Sequence, residues 1–421
     1  MNIIRVLPEQ VASQIAAGEV IDRPAAIVKE LMENSIDARA DRITVRIEQG
    51  GKRLIKVSDN GIGMSRDDLL LCVERHATSK LRKADDLSRV SSLGFRGEAL
   101  PSMAAVSRLQ ITSLPKDEMI GHRLRISGGK VLDISESGAP PGTSVTVEDL
   151  FFNMPARRKF LRTHRTEQTH IMDGFIRSAV PFSDIHFSLA DGTKKILTLY
   201  PSSDPRERLS GLVGREVSRA MVDGGVRMEG IEITLYAAPS DFSRNRGDRI
   251  YAYVNRRNIR DRLVTRAIME GYGQRLMKGK FPQIVLFIEM PPGQVDVNVH
   301  PTKQEVRFRE TQKVFQAVVS AVHRAFSPVP GTRTPVGPGP PSPVWKGEPT
   351  PKEAPHLPFT RGVSTLGESP GPYARDASEW RVAFDDSKPD AGPSLPPGHQ
   401  IIGQLGNTYI LCQIDDGLLL I

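Results

Sequence analysis

"SDNGIGM", residues 58–64, follows directly on the strand-like run "RLIKV" (53–57). A carboxylate, an amide and two glycines therefore gather where a buried strand would end. Two readings are open. Asn-Gly and Asp-Asn pairs are ordinary tight-turn chemistry, because short polar side chains bond their own backbone and glycine accepts positive φ. The other reading is a nucleotide site, in which Asp59 accepts from a base while Gly61 and Gly63 let the ligand approach the backbone. Within the stretch itself the turn is the better reading, because such turns are common.

The flanking sequence adds context. Upstream, "PAAIVKELMENSIDA" (24–38) has Pro near its start and helical spacing at Ile27, Val28, Leu31, Met32 and Ser35. Glu30, Asn34 and Asp37 stand at i, i+4 and i+7, on one stripe away from that face. Taken alone, the stripe reads better as the wet side of an amphipathic helix. "RITVRIE" (42–48) and "RLIKVSD" (53–59) flank "QGGK" and predict a hairpin with period-2 alternation. Downstream, "DDLLLCVERHATS" (67–79) predicts a helix. "SLGFRGEAL" (92–100) places Gly94 and Gly97 beside a helix start, where several backbone N–H groups can converge on phosphate. Short glycine patterns also recur by chance. "RLQITSL", "HRLRIS", "KVLDISE" and "TSVTVED" give short strands to residue 149, with the Thr143 hydroxyl in the last. The pattern predicts a layered α+β domain with mostly antiparallel strands.

Around "EDLFFNMPARRKFLRTHRTEQTHIMDGFIRSAV" a long helix is expected to bridge into a second mixed block. The strands assigned to that block are "DIHFSLA", "GIEITLYAA", "RIYAYVN", "QIVLFIEM" and "VDVNVHP", with helices near 205–213, 261–276 and 311–326. Composition changes at about Ser327, and about half of the 32 prolines fall between there and Gln400. Such a segment cannot bury enough apolar surface to offset its ordering entropy, so a flexible linker is expected over 327–399. "QIIGQLGNTYILCQIDDGLLLI" (400–421) then reads as the opening hairpin of a further domain.

With 421 residues, 39% hydrophobic and 25% charged, the chain is of globular composition and long enough for two or three domains. No run approaches the length of a membrane span, and the first residues carry no long apolar segment, so a cytoplasmic protein is expected. Two cysteines, Cys72 and Cys412, allow at most one disulfide and no metal cluster. The net charge of +8 favours a polyanionic partner.

Order and type together carry more than any single piece: Glu-x-x-x-Asn on a helix, Asp-x-Gly-x-Gly after a strand, a Gly-rich lid, then a Gly-Thr strand. This succession resembles the GHKL ATPase superfamily. "QIAAGEVIDRPAAIVKELMENSIDA", "DNGIGM", "RHATSK", "LGFRGEAL", "FFNMPARRKFL" and "VDVNVHPTKQEVRF" resemble the MutL family of mismatch repair proteins specifically, over about residues 1–326. The resemblance implies an α+β fold: a GHKL (Bergerat) ATPase α/β sandwich at 1–200, a ribosomal protein S5 domain 2-like domain at 201–326, and the start of a truncated dimerisation domain at 400–421. It implies ATP and Mg2+ as cofactors, with Glu30 as general base and Lys303 as a charge donor to the γ-phosphate. Asn34 is implied as the Mg2+ ligand and Asp59 as the acceptor from adenine. Asp37, Gly61, Gly63, Thr78, Ser79, Lys80, Gly94, Phe95, Arg96, Gly97 and Thr143 complete the implied ATP site. Arg157, Arg158, Lys159, Arg256, Arg257 and Arg262 lie in segments that face DNA in this family, and a solvated face is the other reading of these basic runs. His300, beside Lys303, reads as a structural histidine. Implied partners are DNA without sequence preference, a second copy in the ATP state, a MutS-type mismatch sensor, and a downstream endonuclease or helicase. An ATP-gated DNA-binding scaffold with negligible turnover is the alternative; any endonuclease motif would lie beyond Ile421.

Overall fold

A computed structural model describes residues 9–75, 77–80, 93–94, 97–296 and 306–327, and three strands within 400–420. The chain divides into two compact units, residues 1–335 and 336–421.

The first unit begins with α1 (Glu9–Val20) and α2 (Pro24–Asp37), then β1 (Arg42–Glu48), β2 (Leu54–Asp59) and α3 (Arg66–Leu71). After α4 (Ala99–Val106) come β3 (Arg108–Leu114), β4 (Gly121–Ser127), β5 (Lys130–Ser137) and β6 (Gly142–Glu148). Helices α5 (Pro155–Phe160) and α6 (His164–Ala179) precede β7 (His186–Asp191) and β8 (Lys194–Leu199). The eight strands form one sheet in the order β5-β4-β3-β6-β2-β1-β7-β8. Within this sheet, among the described residues, only β1 and β7 pair in parallel. Alternation decides which face is covered: Ile43, Val45 and Ile47 point into the core, whereas Arg42 and Arg46 are exposed. Ile27, Val28, Leu31 and Met32 of α2 and Ile171 and Phe175 of α6 share that core. Full burial of each such side chain contributes about 1.5–3 kcal/mol.

Three expectations are corrected. "DIHFSLA" does not open the second block; it is β7, and its inward residues Phe187 and Leu189 extend the buried row of β1 through the pairs Ile43↔Phe187 and Val45↔Leu189. The long bridging helix is two helices. Leu161 leaves the helical region at ψ 130, and Thr163 caps α6 by accepting from the Thr166 N–H. The helix expected over 67–79 ends at Leu71. Beyond it the Ala77 carbonyl packs onto Gly97, where an ideal Cβ would lie only 2.4 Å away. Tertiary packing thus overrides helix propensity.

The chain continues through α7 (Pro205–Val213), α8 (Arg215–Ala220), β9 (Val222–Met228), β10 (Ile231–Ala237), β11 (Ile250–Val254) and β12 (Arg257–Ile259). Then follow α9 (Arg262–Tyr272), β13 (Ile284–Glu289), the short pair β14 (Val295–Asp296) and β15 (Arg307–Phe308), and α10 (Thr311–Ala325). Five strands form a second sheet, β12-β11-β13-β10-β9. β11 is buried on both faces. Ala252 and Val254 join the cluster containing Val264, Ile268, Val314 and Val318 of α9 and α10. Tyr251 and Tyr253 point the other way, into the core of the first sheet. There the Tyr253 hydroxyl donates to the Arg177 carbonyl (3.2 Å), and the Arg177 guanidinium lies 4.5 Å from the Tyr251 ring centre. The blocks expected on either side of residue 200 therefore share core residues.

In the second unit, β16 (Gln400–Leu405), β17 (Tyr409–Ile414) and β18 (Gly417–Leu420) form an antiparallel meander. A third strand thus follows the two expected runs. The linker expected at 327–399 lies, beyond Ser327, outside the described residues, as do Lys303, His300 and the remainder of "VDVNVHP" after Asp296. Among the described residues no helix is long and apolar enough to cross a membrane.

Candidate nucleotide site

Helix α2 organises the site from both of its faces. On its outer stripe, Asn34 and Asp37 converge on one cation: the Lys80 ammonium donates to Asn34 Oδ1 (3.0 Å) and Asp37 Oδ2 (2.6 Å). Asp37 also accepts from the backbone, Oδ1 from the Leu93 N–H (3.0 Å) and Oδ2 from the Gly94 N–H (3.1 Å). Gly94 has little room for a side chain, since a Cβ there would lie 3.1 Å from Lys80 Nζ. The Lys80–Asp37 pair is largely shielded, with side chains 20% and 12% exposed, so removing one partner leaves the other charge poorly solvated. Glu30 lies one turn earlier on the same stripe and is partly exposed. Thr78 accepts from the Lys80 N–H (3.2 Å), and Ser79 is exposed. Gly97, at φ +64, packs on Ala77 and so brings the 77–80 strip beside the lid glycines. Phe95 and Arg96 lie outside the described residues.

On the inner face of α2, Ser35 is 3% exposed, and its hydroxyl donates to Asp59 Oδ2 (2.8 Å). Asp59 Oδ1 accepts from the Gly61 N–H (2.9 Å) and the Thr143 N–H (3.3 Å). Burial pushes the Asp59 carboxyl above its ordinary 3.8, and these three donors offset only part of that cost. The Thr143 hydroxyl pairs with Ser113 Oγ (2.9 Å), which accepts in turn from the Met64 N–H (2.8 Å). Each glycine of "SDNGIGM" meets a close approach. Gly61 abuts the Ala38 carbonyl just beyond α2, where a Cβ would lie 2.6 Å away; Gly63, at φ +76, abuts the Leu114 carbonyl at 2.4 Å. Asn60 ties the turn down, its Oδ1 accepting from the Asp41 (3.1 Å) and Arg42 (2.9 Å) N–H groups. The stretch is a turn, and its carboxylate and glycines are held against α2, β3 and β6.

The basic residues divide. Arg158, Lys159, Arg256 and Arg262 are exposed. Arg157 is drawn inward, where its guanidinium donates to the Gly18 carbonyl at the end of α1 (2.5 Å). Arg257 departs furthest from the expectation of a DNA contact. It is 8% exposed, and its Nη2 donates to the Leu93 carbonyl (2.9 Å) in a buried contact.

Sequence reasoning missed Ser35, Ser113 and the Arg257–Leu93 contact. Ser35 carried a usable signal, because a hydroxyl on a helix's buried face needs a partner and Asp59 is the nearby acceptor. Ser113 and Arg257 carried none, since their partners lie 30 and 164 residues away.

Residues 23–131 match the family model described as "Histidine kinase-, DNA gyrase B-, and HSP90-like ATPase". Residues 209–327 match the one described as "DNA mismatch repair protein, C-terminal domain". The DNA mismatch repair protein MutL of Trichlorobacter lovleyi is 40% identical over 422 residues, an overlap covering 99% of this chain and 71% of the relative. That of Acidobacterium capsulatum is 44% identical over 355 residues, covering 77% of this chain and 53% of the relative. Among solved structures, the N-terminal domain of a DNA repair protein superposes with a TM-score of 0.63 at 26% identity, over 74% of this chain and 97% of that one. The Aquifex aeolicus MutL ATPase domain complexed with ADP gives 0.50 at 29% identity, over 65% and 94%.

Proposed function

The chain belongs to the MutL family of DNA mismatch repair proteins, and from that membership we propose that it hydrolyses ATP in a cycle that opens and closes a DNA-associated clamp. The observation carrying this reading is that one helix serves two clusters: Asn34 and Asp37 gather beside the Gly94 N–H, while Ser35 holds Asp59 on the opposite face. Asp59 presents a carboxylate to the adenine amino group, and Thr143, Gly61 and Gly63 shape the wall around base and ribose. At the other end, Lys80 and the amides of Gly94 and Gly97 take the phosphates, exchanging anionic partners on the protein for those of the ligand. Thr78 and Ser79 add phosphate contacts, and Phe95 and Arg96 belong to the lid.

The residues fit a hard divalent cation, because Asn34 Oδ1 and Asp37 Oδ2 are oxygen donors that already hold a positive charge, the Lys80 ammonium. Bound Mg2+ would neutralise charge on the phosphate oxygens. Glu30 serves as general base, orienting a water and taking its proton. Lys303 supplies a point charge to the γ-phosphate from the second block, making turnover depend on how the blocks are arranged. In the cell the protein is cytoplasmic and nucleoid-associated. ATP binding pairs two copies into a clamp around DNA, hydrolysis resets it, and the cycle couples a MutS-type mismatch sensor to the downstream endonuclease or helicase.

The test is steady-state Mg-ATP hydrolysis by the chain beside Glu30→Ala. The expected result is a drop of at least about a hundredfold with nucleotide binding retained, within the range of general-base contributions. Equal rates in the two would remove Glu30 as the base. Binding without turnover in the parent would leave an ATP-gated scaffold as the function.

A further inference from the structure

Among the described residues, Arg257 carries a strand of the second sheet to the backbone beside the candidate nucleotide site. Its position is built rigidly. β11 and β12 pair so that Val254 faces Arg257, and the two residues between them, Asn255 (φ 48) and Arg256 (φ 66), form a two-residue turn with both φ positive. Asn tolerates that conformation, and here its amide also clamps the hairpin to the end of β13. Asn255 Nδ2 donates to the Met290 carbonyl, and the Met290 N–H returns a bond to Asn255 Oδ1, both at 2.9 Å. From this tip the Arg257 guanidinium passes into the interior and donates to Leu93 O. The same peptide is gripped from the opposite side, because Asp37 accepts the N–H groups of both Leu93 and Gly94. Asp37 is in turn bonded to Lys80, which is bonded to Asn34. A continuous series of hydrogen bonds therefore runs from a strand of the second sheet to the residues assigned above to phosphate and metal.

We propose that Arg257 is a positioning residue for the triphosphate end of the site: through the Leu93 carbonyl it sets the Leu93–Gly94 backbone from the second sheet, so that grip on the outer phosphates and the placement of that sheet are coupled. The inference rests on the ATPase reading. Arg257 touches no phosphate of nucleotide or DNA in this role. It differs in that from Arg262, and from the sequence expectation for Arg257 itself.

The experiment compares the full chain with R257M and R257K in three measurements: hydrogen exchange at the Leu93 and Gly94 amides, binding of AMP and of β,γ-imido-ATP, and affinity for duplex DNA. R257M removes a buried charged donor. The expected result is faster exchange at those two amides without nucleotide, and imido-ATP binding weaker by about tenfold, within the usual range of coupling between two sites. AMP binding, which reads only the adenine end and one phosphate, should change by less than about twofold, and DNA affinity should hold. R257K keeps one donor and the positive charge and should recover part of the loss; if R257M does not fold, R257K carries the test with a smaller loss in the same direction. Unchanged exchange and unchanged imido-ATP binding, in a parent that binds both nucleotides, overturn this inference alone. A fall in DNA affinity with nucleotide binding intact makes Arg257 a DNA contact and also overturns it. A parent that binds neither nucleotide overturns the ATPase reading and this inference with it.

Discussion

On the proposed reading of Asp59 as the adenine acceptor, stability and binding pull one carboxylate in opposite directions. Burial raises its pKa above 3.8, so ionisation costs more in the folded chain than in the unfolded one. For an acid shifted this way, the contribution to stability is complete below the unfolded value and is lost as pH rises through the folded value. Asp59→Asn removes that titration while keeping an acceptor for the Gly61 and Thr143 N–H groups. The variant should be at least as stable as the parent at pH 7, and the difference should shrink as pH falls toward 4, measured by urea denaturation across that range. The same change should weaken adenine nucleotide binding by about ten- to a hundredfold, since the charged acceptor is lost. A variant both less stable at pH 7 and unimpaired in binding would contradict both halves.

At the scale of elements, the site depends on chain segments approaching more closely than side chains allow. Gly63 and Gly192 both have positive φ, but only Gly63 is crowded: a Cβ there would meet the Leu114 carbonyl, whereas nothing lies within 4 Å of one at Gly192. The pair separates the conformational cost from the cost of contact. Gly192→Ala should lose about 1–2 kcal/mol, the left-handed penalty alone. Gly63→Ala should lose clearly more, because backbone on both sides of the contact must shift, and denaturation midpoints of the two variants would show it. Equal losses would mean that the approach of β3 to the turn is looser than the geometry indicates.

For the molecule as a whole, a net charge of +8 matters where the charge is exposed and clustered. Arg158, Lys159, Arg256 and Arg262 meet the exposure criterion, and Arg157 and Arg257 are engaged with backbone carbonyls instead. Arg262→Ala should weaken duplex binding by a similar factor on any sequence and flatten the dependence of log K on log salt by about 1, as for a single phosphate contact. An unchanged slope in fluorescence anisotropy titrations would remove Arg262 from the proposed DNA contacts.

Much of this arrangement was legible from local chemistry. The α2 stripe of Glu30, Asn34 and Asp37 follows from helical periodicity, the β1–β2 hairpin from period-2 alternation, and the crowded glycines after β2 from residue types that short-range sterics select. Those properties are set within a few residues, so the sequence states them directly. What only the tertiary structure decided depends on neighbours far along the chain. The row Ile43, Val45 and Ile47 was apolar in any topology, yet its pairing with Phe187 and Leu189 placed β7 in the first sheet. Tyr251 and Tyr253 alternate as any strand would, and only the packing of the second sheet against α6 buries them on a shared core. Arg257 read as one more positive charge in "NRRNIRDR" until a hairpin tip carried it to Leu93. A side chain's period is a local property, but the partner it meets is chosen by the burial of the whole unit.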